Sequence, residues 1–163
     1  MEYLISVSFR RSNLKIHIDA DGCPVVNQTV AMALLYGLPC VIVCDTAHRI
    51  ERDGATTVTV SQGSDSADYY IVNNAQKGDV VITQDYGLAA MCLSKRVYAI
   101  NQDGREYTDD NISGLLEFRA AAKKIRNAGG RLKGNPKRTE NQNKQFISGL
   151  KSLLDRLITE EVR

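Results

Sequence analysis

No segment of the 163-residue sequence is an apolar run near the roughly 20 residues that a membrane-spanning helix needs. At the N-terminus, the apolar residues of MEYLISVSFRRSN come before its two arginines, which is the reverse of the order in a secretory signal. We therefore expect no membrane partner and a cytoplasmic location. Residues 1–13 are expected to form a short extension ahead of the first buried strand.

The sequence also lacks a Cys-x-x-Cys pair and any cluster of cysteine with histidine. Cys40 and Cys44 lie in the apolar segment PCVIVCD, where an extended strand would hold them about 13 Å apart. That separation is too large for a disulfide bond. All four cysteines are therefore predicted to be free, buried thiols, and neither a zinc site nor a disulfide framework is expected.

Internal repeats, low-complexity segments and a second core-sized unit are absent as well. With 163 residues, 43% hydrophobic and 25% charged, the composition is that of one soluble globular domain with a sizeable core. Five strand-length apolar runs alternate with helical patterns: LKIHID, PCVIVCD, ATTVTVS, GDVVITQD and RVYAINQDG. Such near-continuous runs predict an α/β fold with a parallel sheet of about five strands and helices on both faces.

The domain is expected to occupy residues 14–128. Residues 129–163 then form a loop of basic composition and a C-terminal helix, predicted from the periodicity of NKQFISGLKSLLDRLITEE. This helix is expected to pack on the same domain through four apolar positions: Phe146, Leu150, Leu153 and Leu157.

Charge is distributed unevenly along the chain. Residues 1–118 hold 9 Lys/Arg and 15 Asp/Glu, a net charge of −6, whereas residues 119–163 hold 12 Lys/Arg and 4 Asp/Glu, a net charge of +8. An acidic body with a basic C-terminal segment indicates a cation site beside an arm that meets polyanions. A solvated helical face accounts for the basic segment equally well.

Aspartates cluster where the predicted strands end. Seven of them follow a strand or begin the helix after the third strand: Asp19, Asp21, Asp45, Asp65, Asp68, Asp85 and Asp103. The carboxyl ends of parallel strands lie along one edge of a sheet, and ligands bind beyond that edge. Each aspartate alone is explained by helix capping or a turn. Together they indicate a cation site, because like charges held close together repel unless a cation neutralises them.

Carboxylate ligands without His or Cys favour Mg²⁺ or Mn²⁺. Two such ions about 4 Å apart activate a water and stabilise the leaving oxygen of a phosphodiester. Thr83 is expected on the same side of its strand as Asp85, where it could bond a metal-bound water or an aspartate and so contribute to substrate binding. A packing role is equally consistent. His17 is expected to be a core residue, and His48 has no evident partner in the sequence.

Three segments occur in an order that resembles the YaiI/YqxD family of bacterial PIN-like proteins: IHIDADGCPVV, GSDSADYYIVNNAQKGDVVITQDYGLA and GGRLKGNPKRT followed by Phe146. The resemblance runs from about residue 14 to residue 155. It implies a three-layer PIN-like α/β fold, whose characterised relatives are Mg²⁺- or Mn²⁺-dependent ribonucleases. The function of the YaiI/YqxD branch itself is undefined.

The resemblance implies that three aspartates are catalytic metal ligands: Asp19, Asp68 and Asp85. Asp21 and Asp65 would support them, and Tyr69 stands where a second acid is expected, which leaves the number of metals open. RNA or another nucleic acid is the implied substrate, with phosphate contacts from a basic set: Arg131, Lys133, Lys137 and Arg138. A homodimer is possible as well, because PIN-like proteins often dimerise.

Two other functions remain open. IHIDADG matches the Asp-x-Asp-Gly segment of haloacid-dehalogenase-type phosphatases, with Asp19 as nucleophile and Asp21 as acid/base. Those enzymes also need a lysine and a late acidic pair, and here the pair Asp109-Asp110 opens a helix instead. The second alternative is a nucleic-acid-binding or regulatory module with weak or no catalysis, which Tyr69 and the basic segment also fit. The leading hypothesis is a metal-dependent ribonuclease.

Overall fold

The computed structural model describes residues 13–63, 65–131, 134 and 136–161. The expected N-terminal extension, apart from Asn13, lies outside the described residues. The same is true of Lys133, one of the four basic residues expected to contact phosphate.

One six-stranded sheet forms the centre of the molecule, in the order β3-β2-β1-β4-β5-β6. Its strands are β1 Ile16–Asp19, β2 Cys40–Asp45, β3 Thr56–Val60, β4 Val80–Ile82, β5 Tyr98–Ile100 and β6 Glu106–Tyr107. The first five are parallel, as the sequence predicts, and β6 pairs antiparallel with β5. The short sixth strand was not predicted, because two residues are too few to show a period.

Helices cover both faces of the sheet, which gives a three-layer α/β fold. They are α1 Val26–Tyr36, α2 Ser66–Asn74, α3 Tyr86–Ser94, α4 Ile112–Asn127 and α5 Glu140–Glu161. Helices α1 and α5 share one apolar cluster with the sheet, and α2, α3 and α4 share another on the opposite face. Among the described residues, no helix is both long and apolar enough to span a membrane.

The strands are apolar throughout because both of their faces are covered. In β4, Val80 and Ile82 belong to the cluster under α1 and α5, whereas Val81 belongs to the opposite cluster. Successive side chains of a strand point to opposite faces, so each position needs an apolar residue. Helix α1 begins two residues after Pro24 and ends at Gly37, whose left-handed φ of 64° suits the residue after a helix.

Helix α5 packs its apolar side into the cluster that it shares with α1 and the sheet. Its buried residues include the four that the helical periodicity singles out: Phe146, Leu150, Leu153 and Leu157. The helix begins at Glu140, three residues before the predicted start. Thr139 and Gln142 form a capping box there, because Gln142 N–H donates to Thr139 Oγ1 and Thr139 N–H donates to Gln142 Oε1.

Candidate functional site

The sheet has a topological switch point between β1 and β4. The chain leaves β1 for α1 on one face and leaves β4 for α3 on the other, so a crevice opens beyond the carboxyl ends of these two strands. Asp19 is the last residue of β1, and Asp85 lies three residues after the end of β4. The topology therefore brings together two aspartates that are 66 positions apart in the sequence.

A cleft of about 210 Å³ lies at this edge. Six of the seven strand-end aspartates line it: Asp19, Asp21, Asp45, Asp65, Asp68 and Asp85. The seventh, Asp103, is not among the lining residues and instead accepts a hydrogen bond from Arg138 Nη1 at 2.8 Å. Parallel topology thus collects carboxylates from the ends of β1 and β2, from the start of α2 and from the β4–α3 connection.

Thr83 joins the two aspartates of the switch point. Its buried hydroxyl donates to Asp19 Oδ2 at 2.8 Å, and the backbone N–H of Asp85 donates to Thr83 Oγ1 at 3.0 Å. The Tyr107 hydroxyl donates to the carbonyl oxygen of Thr83 at 3.0 Å. This chain of hydrogen bonds fixes the β4 end against the β1 end and accounts for Thr83, for which the sequence allowed several roles.

Asp85 is also the N-cap of α3. Its Oδ1 accepts from the backbone N–H groups of Gly87 at 2.8 Å and Leu88 at 3.2 Å. Arg119 Nη1 approaches the same oxygen at 3.4 Å. Within the described part of the chain the side-chain contacts of Asp85 all use Oδ1, so its other oxygen remains available to a ligand.

Two carboxylates of the cleft titrate far above the usual range of aspartate. Burial raises the pKa of Asp19 to about 6; the Thr83 hydrogen bond opposes this shift, and the charges of Asp85 and Asp21 add to it. Burial also raises the pKa of Asp68 to about 7, with further contributions from Asp85, Asp19 and Asp65 that Arg119 partly offsets. Carboxylates that repel one another in this way are stabilised by a bound cation.

Asp65, expected at the start of the helix after the third strand, lies just before that helix. It precedes α2 with a left-handed φ of 64° and makes no side-chain capping hydrogen bond. Asp65 and Asp68 therefore do not share a helix face through a spacing of three residues. Both still line the cleft, because the backbone turns at Asp65 before α2 begins.

A second group of potential ligands lies on the β2 side of the cleft. One ligand atom each from Asp21, Asp45 and His48 lie within 4.8 Å of one another, a spacing that Asp19, Asp68 and Asp85 do not reach in the part of the chain described. Asp45 Oδ1 lies 2.9 Å from His48 Nδ1 and accepts from the backbone N–H of Ala47. No partner of His48 was predicted from the sequence, although its position three residues after a strand-end aspartate is a local signal for this contact.

The basic residues expected to bind phosphate differ in their surroundings. Arg131 and Lys137 are exposed. Arg138 is partly buried and donates to Asp103, to Asn143 Oδ1 at 2.7 Å and to the carbonyl oxygen of Gln102 at 2.5 Å. In this arrangement the guanidinium of Arg138 ties the segment before α5 to the turn after β5.

A second hollow, of about 250 Å³, adjoins the acidic cleft and shares three aspartates with it. Its other lining residues are Tyr69, Gly87, Met91 and Arg119. Arg119 was not singled out from the sequence, because periodicity alone does not show which residue of α4 faces the end of β4. The structure places its guanidinium at the rim of the candidate site.

Comparison with known proteins adds the family. The family model described as "Uncharacterized BCR, YaiI/YqxD family" matches residues 17–156. A "UPF0178 protein" of Exiguobacterium sibiricum is 49% identical over 141 residues, covering 86% of this chain and 96% of the relative. A protein of the same name from Alkaliphilus oremlandii is 44% identical, covering 87% of this chain and 92% of the relative. Another from Enterococcus faecalis is 40% identical, covering 88% of this chain and 99% of the relative. No solved structure matches the chain. The chain therefore belongs to the YaiI/YqxD family, whose function is uncharacterised.

Proposed function

We propose that the protein is a divalent-metal-dependent nuclease that hydrolyses RNA phosphodiesters in the cytoplasm. The observation that carries the proposal is the acidic cleft at the switch point. There, aspartates from separate strand ends and a helix start face one space, and burial together with mutual repulsion raises the pKa of Asp19 and Asp68. Helix capping alone does not require these carboxylates to lie close together, where their mutual repulsion lowers the stability of the fold.

The donor set fits Mg²⁺ or Mn²⁺, because hard cations prefer carboxylate oxygens. Asp19, Asp68 and Asp85 are the residues proposed to hold the ion, with Asp21 and Asp65 beside them. When bound, the cation supplies positive charge that polarises the phosphoryl group and stabilises the oxygen that leaves. The Asp21–Asp45–His48 group is a further position for a cation in the same cleft.

Hydrogen bonds within the protein orient the proposed metal ligands, and exposed cations are available to bind a phosphodiester backbone. Thr83 donates a hydrogen bond to Asp19 Oδ2, and Oδ1 of Asp19 accepts no hydrogen bond from the described residues. The helix N-terminus after Asp85 fixes that carboxylate through two backbone N–H groups. The exposed cations Arg131 and Lys137 are proposed to hold the RNA backbone without regard to sequence.

A phosphatase with Asp19 as nucleophile finds less support. Enzymes of that type use a lysine beside the nucleophile, and none lines the cleft among the residues described. A raised pKa also makes Asp19 a poorer nucleophile, because the protonated carboxyl group does not attack phosphorus.

The test is cleavage of a fluorescein-labelled RNA in the presence of EDTA, Mg²⁺ or Mn²⁺. Asp19→Asn and Asp85→Asn are expected to lower the cleavage rate at least 100-fold, since each removes a proposed metal ligand. Asp110→Asn, the same change at an exposed residue outside the cleft, is the matched control and is expected to cleave normally.

Three results would contradict the proposal. RNA binding without cleavage under any divalent ion would favour the binding module. A covalent phosphate trapped on Asp19 would establish the phosphatase. Equal cleavage by the parent, the two cleft variants and the control would show that the activity comes from another protein in the preparation.

A further inference from the structure

The hollow beside the acidic cleft has the chemistry of a nucleotide site. It shares Asp65, Asp68 and Asp85 with the cleft, so the two depressions meet at the carboxylates proposed to hold the metal. The rest of its lining differs in character. It combines an aromatic ring, a thioether and a guanidinium, from Tyr69, Met91 and Arg119.

Arg119 is only loosely engaged. Its single side-chain hydrogen bond within the described residues is to Asp85 Oδ1, at 3.4 Å, and its side chain is 53% exposed. A guanidinium carries five N–H donors, so most of them are available to another partner. Exposed ion pairs of this kind contribute little stability, so Arg119 can bind an incoming anion at small cost.

Gly87 makes room for this guanidinium. A Cβ atom at position 87 would lie 2.6 Å from Arg119 Nη1. The backbone does not require glycine there, because Gly87 is not among the residues with positive φ. The absence of a side chain therefore matters for the space that Arg119 occupies.

Tyr69 lines the same hollow. It lies in the first turn of α2, immediately after Asp68, and is 60% exposed. Proteins that bind single-stranded nucleic acids use exposed aromatic residues next to a cation. A base stacks on the aromatic ring, and the backbone phosphate binds the cation. In a duplex the bases are already stacked on one another, so this mode of binding selects single strands.

We propose that the hollow of Tyr69, Gly87, Met91 and Arg119 binds the nucleotide next to the scissile phosphodiester of a single-stranded nucleic acid. The base stacks on Tyr69 and the phosphate binds Arg119, which exchanges its contact with Asp85 for the phosphate. That the neighbouring phosphodiester is cleaved rests on the proposed nuclease function. The binding site itself does not, and it is tested without cleavage.

The test is fluorescence anisotropy with Asp19→Asn in the full chain, so that substrate is not consumed, in the presence of Mg²⁺. The probes are fluorescein-labelled RNA and DNA single strands of one sequence and the corresponding duplexes. Tyr69→Ala is expected to weaken single-strand binding about tenfold, in the range measured for loss of one stacked base. Tyr69→Phe keeps the ring and is expected to bind as the parent does.

For the cation, Arg119→Gln is expected to weaken single-strand binding about fivefold and to reduce the salt dependence by about one phosphate contact. Arg105→Gln, the same change at an exposed arginine outside the hollow, is the matched control. Gly87→Ala displaces the guanidinium without removing its charge. Because this flexible group can move aside and still meet a phosphate, single-strand binding is expected to fall less than in Arg119→Gln. Duplex binding is expected to change less than twofold in every variant.

The outcomes separate this proposal from the nuclease. Unchanged binding by both Tyr69→Ala and Arg119→Gln overturns the nucleotide site, even if divalent-dependent cleavage is found. The same holds if the parent binds no single strand, or if duplex binding falls equally. If the wild-type chain never cleaves but the two variants lose single-strand binding, the site stands and the nuclease proposal falls. Equal effects on RNA and DNA indicate that base and phosphate are recognised; an effect on RNA alone indicates a further contact to the 2′-hydroxyl.

Discussion

Thr83 contacts both strand-end segments of the cleft, through Asp19 Oδ2 and the N–H of Asp85. Thr83→Val keeps the shape but removes the hydroxyl, which leaves a backbone N–H without its partner in a part-buried position. We expect the free energy of unfolding to fall by about 1–3 kcal/mol. Thr83→Ser keeps the hydroxyl and is expected to lose less. Urea denaturation of the two variants provides the measurement, and equal stability of Thr83→Val and the parent would contradict it.

Asp19 is expected to lower stability at neutral pH. Its pKa is 3.8 in the unfolded chain and about 6 in the folded one, so between these values the folded state binds more protons. The free energy of unfolding therefore falls as pH rises through this window and stays low above it. Asp19→Asn cannot ionise, and its amide oxygen still accepts from Thr83. In metal-free buffer at pH 8 we expect it to be more stable than the parent by up to about 3 kcal/mol.

The same comparison at pH 3.5 is the internal control, because Asp19 is then protonated in the folded parent and mostly protonated in the unfolded chain, so its charge contributes little to the difference. Thermal or urea unfolding at the two pH values gives the difference. A stability gain that does not depend on pH would show that the carboxylate charge is not its cause.

At the same scale, the sequence predicted where the aspartates gather, because their positions follow from strand ends and parallel order. It did not predict which of the aspartates lie outside the cleft. Asp103 pairs with Arg138 instead, and the two are 35 positions apart. Arg119 also depends on a contact that forms only after folding, with Asp85 34 positions away, so no local pattern marks its role. His48, by contrast, contacts Asp45 only three residues before it.

At the scale of elements, strand-length apolar runs predicted the five parallel strands and left β6 out. Helix boundaries were less predictable where capping decides them, as at Thr139. The close approach of α5 to the turn after β5 could not be predicted from the sequence. Gly149 in α5 lies against Gly104 in the turn after β5, where a Cβ on Gly149 would be 2.1 Å from the carbonyl oxygen of Gly104.

Because of this contact, the effect of Gly149→Ala on stability is expected to be opposite to the effect that helix propensity predicts. Alanine in place of glycine ordinarily stabilises a helix by about 1 kcal/mol. Gly149→Ala is expected instead to lower the free energy of unfolding by about 1–3 kcal/mol, because the backbone of the turn must shift. Gly114→Ala in α4, where no atom lies within 4 Å of the new Cβ, is the control and is expected to stabilise the protein. If both variants gained stability in chemical denaturation, α5 would not approach the turn this closely.

For the whole molecule, the separation of charge is less complete than the sequence indicates. Arg138 and Arg156 of the basic segment pair with Asp103 and Glu106 of the acidic body, and Lys151 pairs with Asp155 within α5. Arg138 and Arg156 thereby join α5 and the segment before it to the domain. The phosphate contacts thus remain a proposal that rests mainly on the exposed cations, and homodimerisation stays a prediction.

Cation binding to the acidic cleft must appear in the stability of the whole molecule. A ligand that binds only the folded state raises the free energy of unfolding, by about 2.7 kcal/mol at 100 times its dissociation constant. We expect Mn²⁺ to raise the thermal midpoint more at pH 8 than at pH 5. Protons compete for Asp19 and Asp68 at the lower pH, since their pKa values are about 6 and 7.

Two variants locate the ion by differential scanning fluorimetry. Asp19→Asn is expected to abolish most of the Mn²⁺-dependent rise, and His48→Gln, on the β2 side of the cleft, is expected to keep it. The reverse pattern would place the ion at the Asp21–Asp45–His48 group, whose ligand atoms lie within 4.8 Å. Asp19 would then act through repulsion and positioning instead of ligation. The absence of any rise at pH 8 would remove the metal from the proposed function, because folded-state binding without stabilisation is thermodynamically excluded.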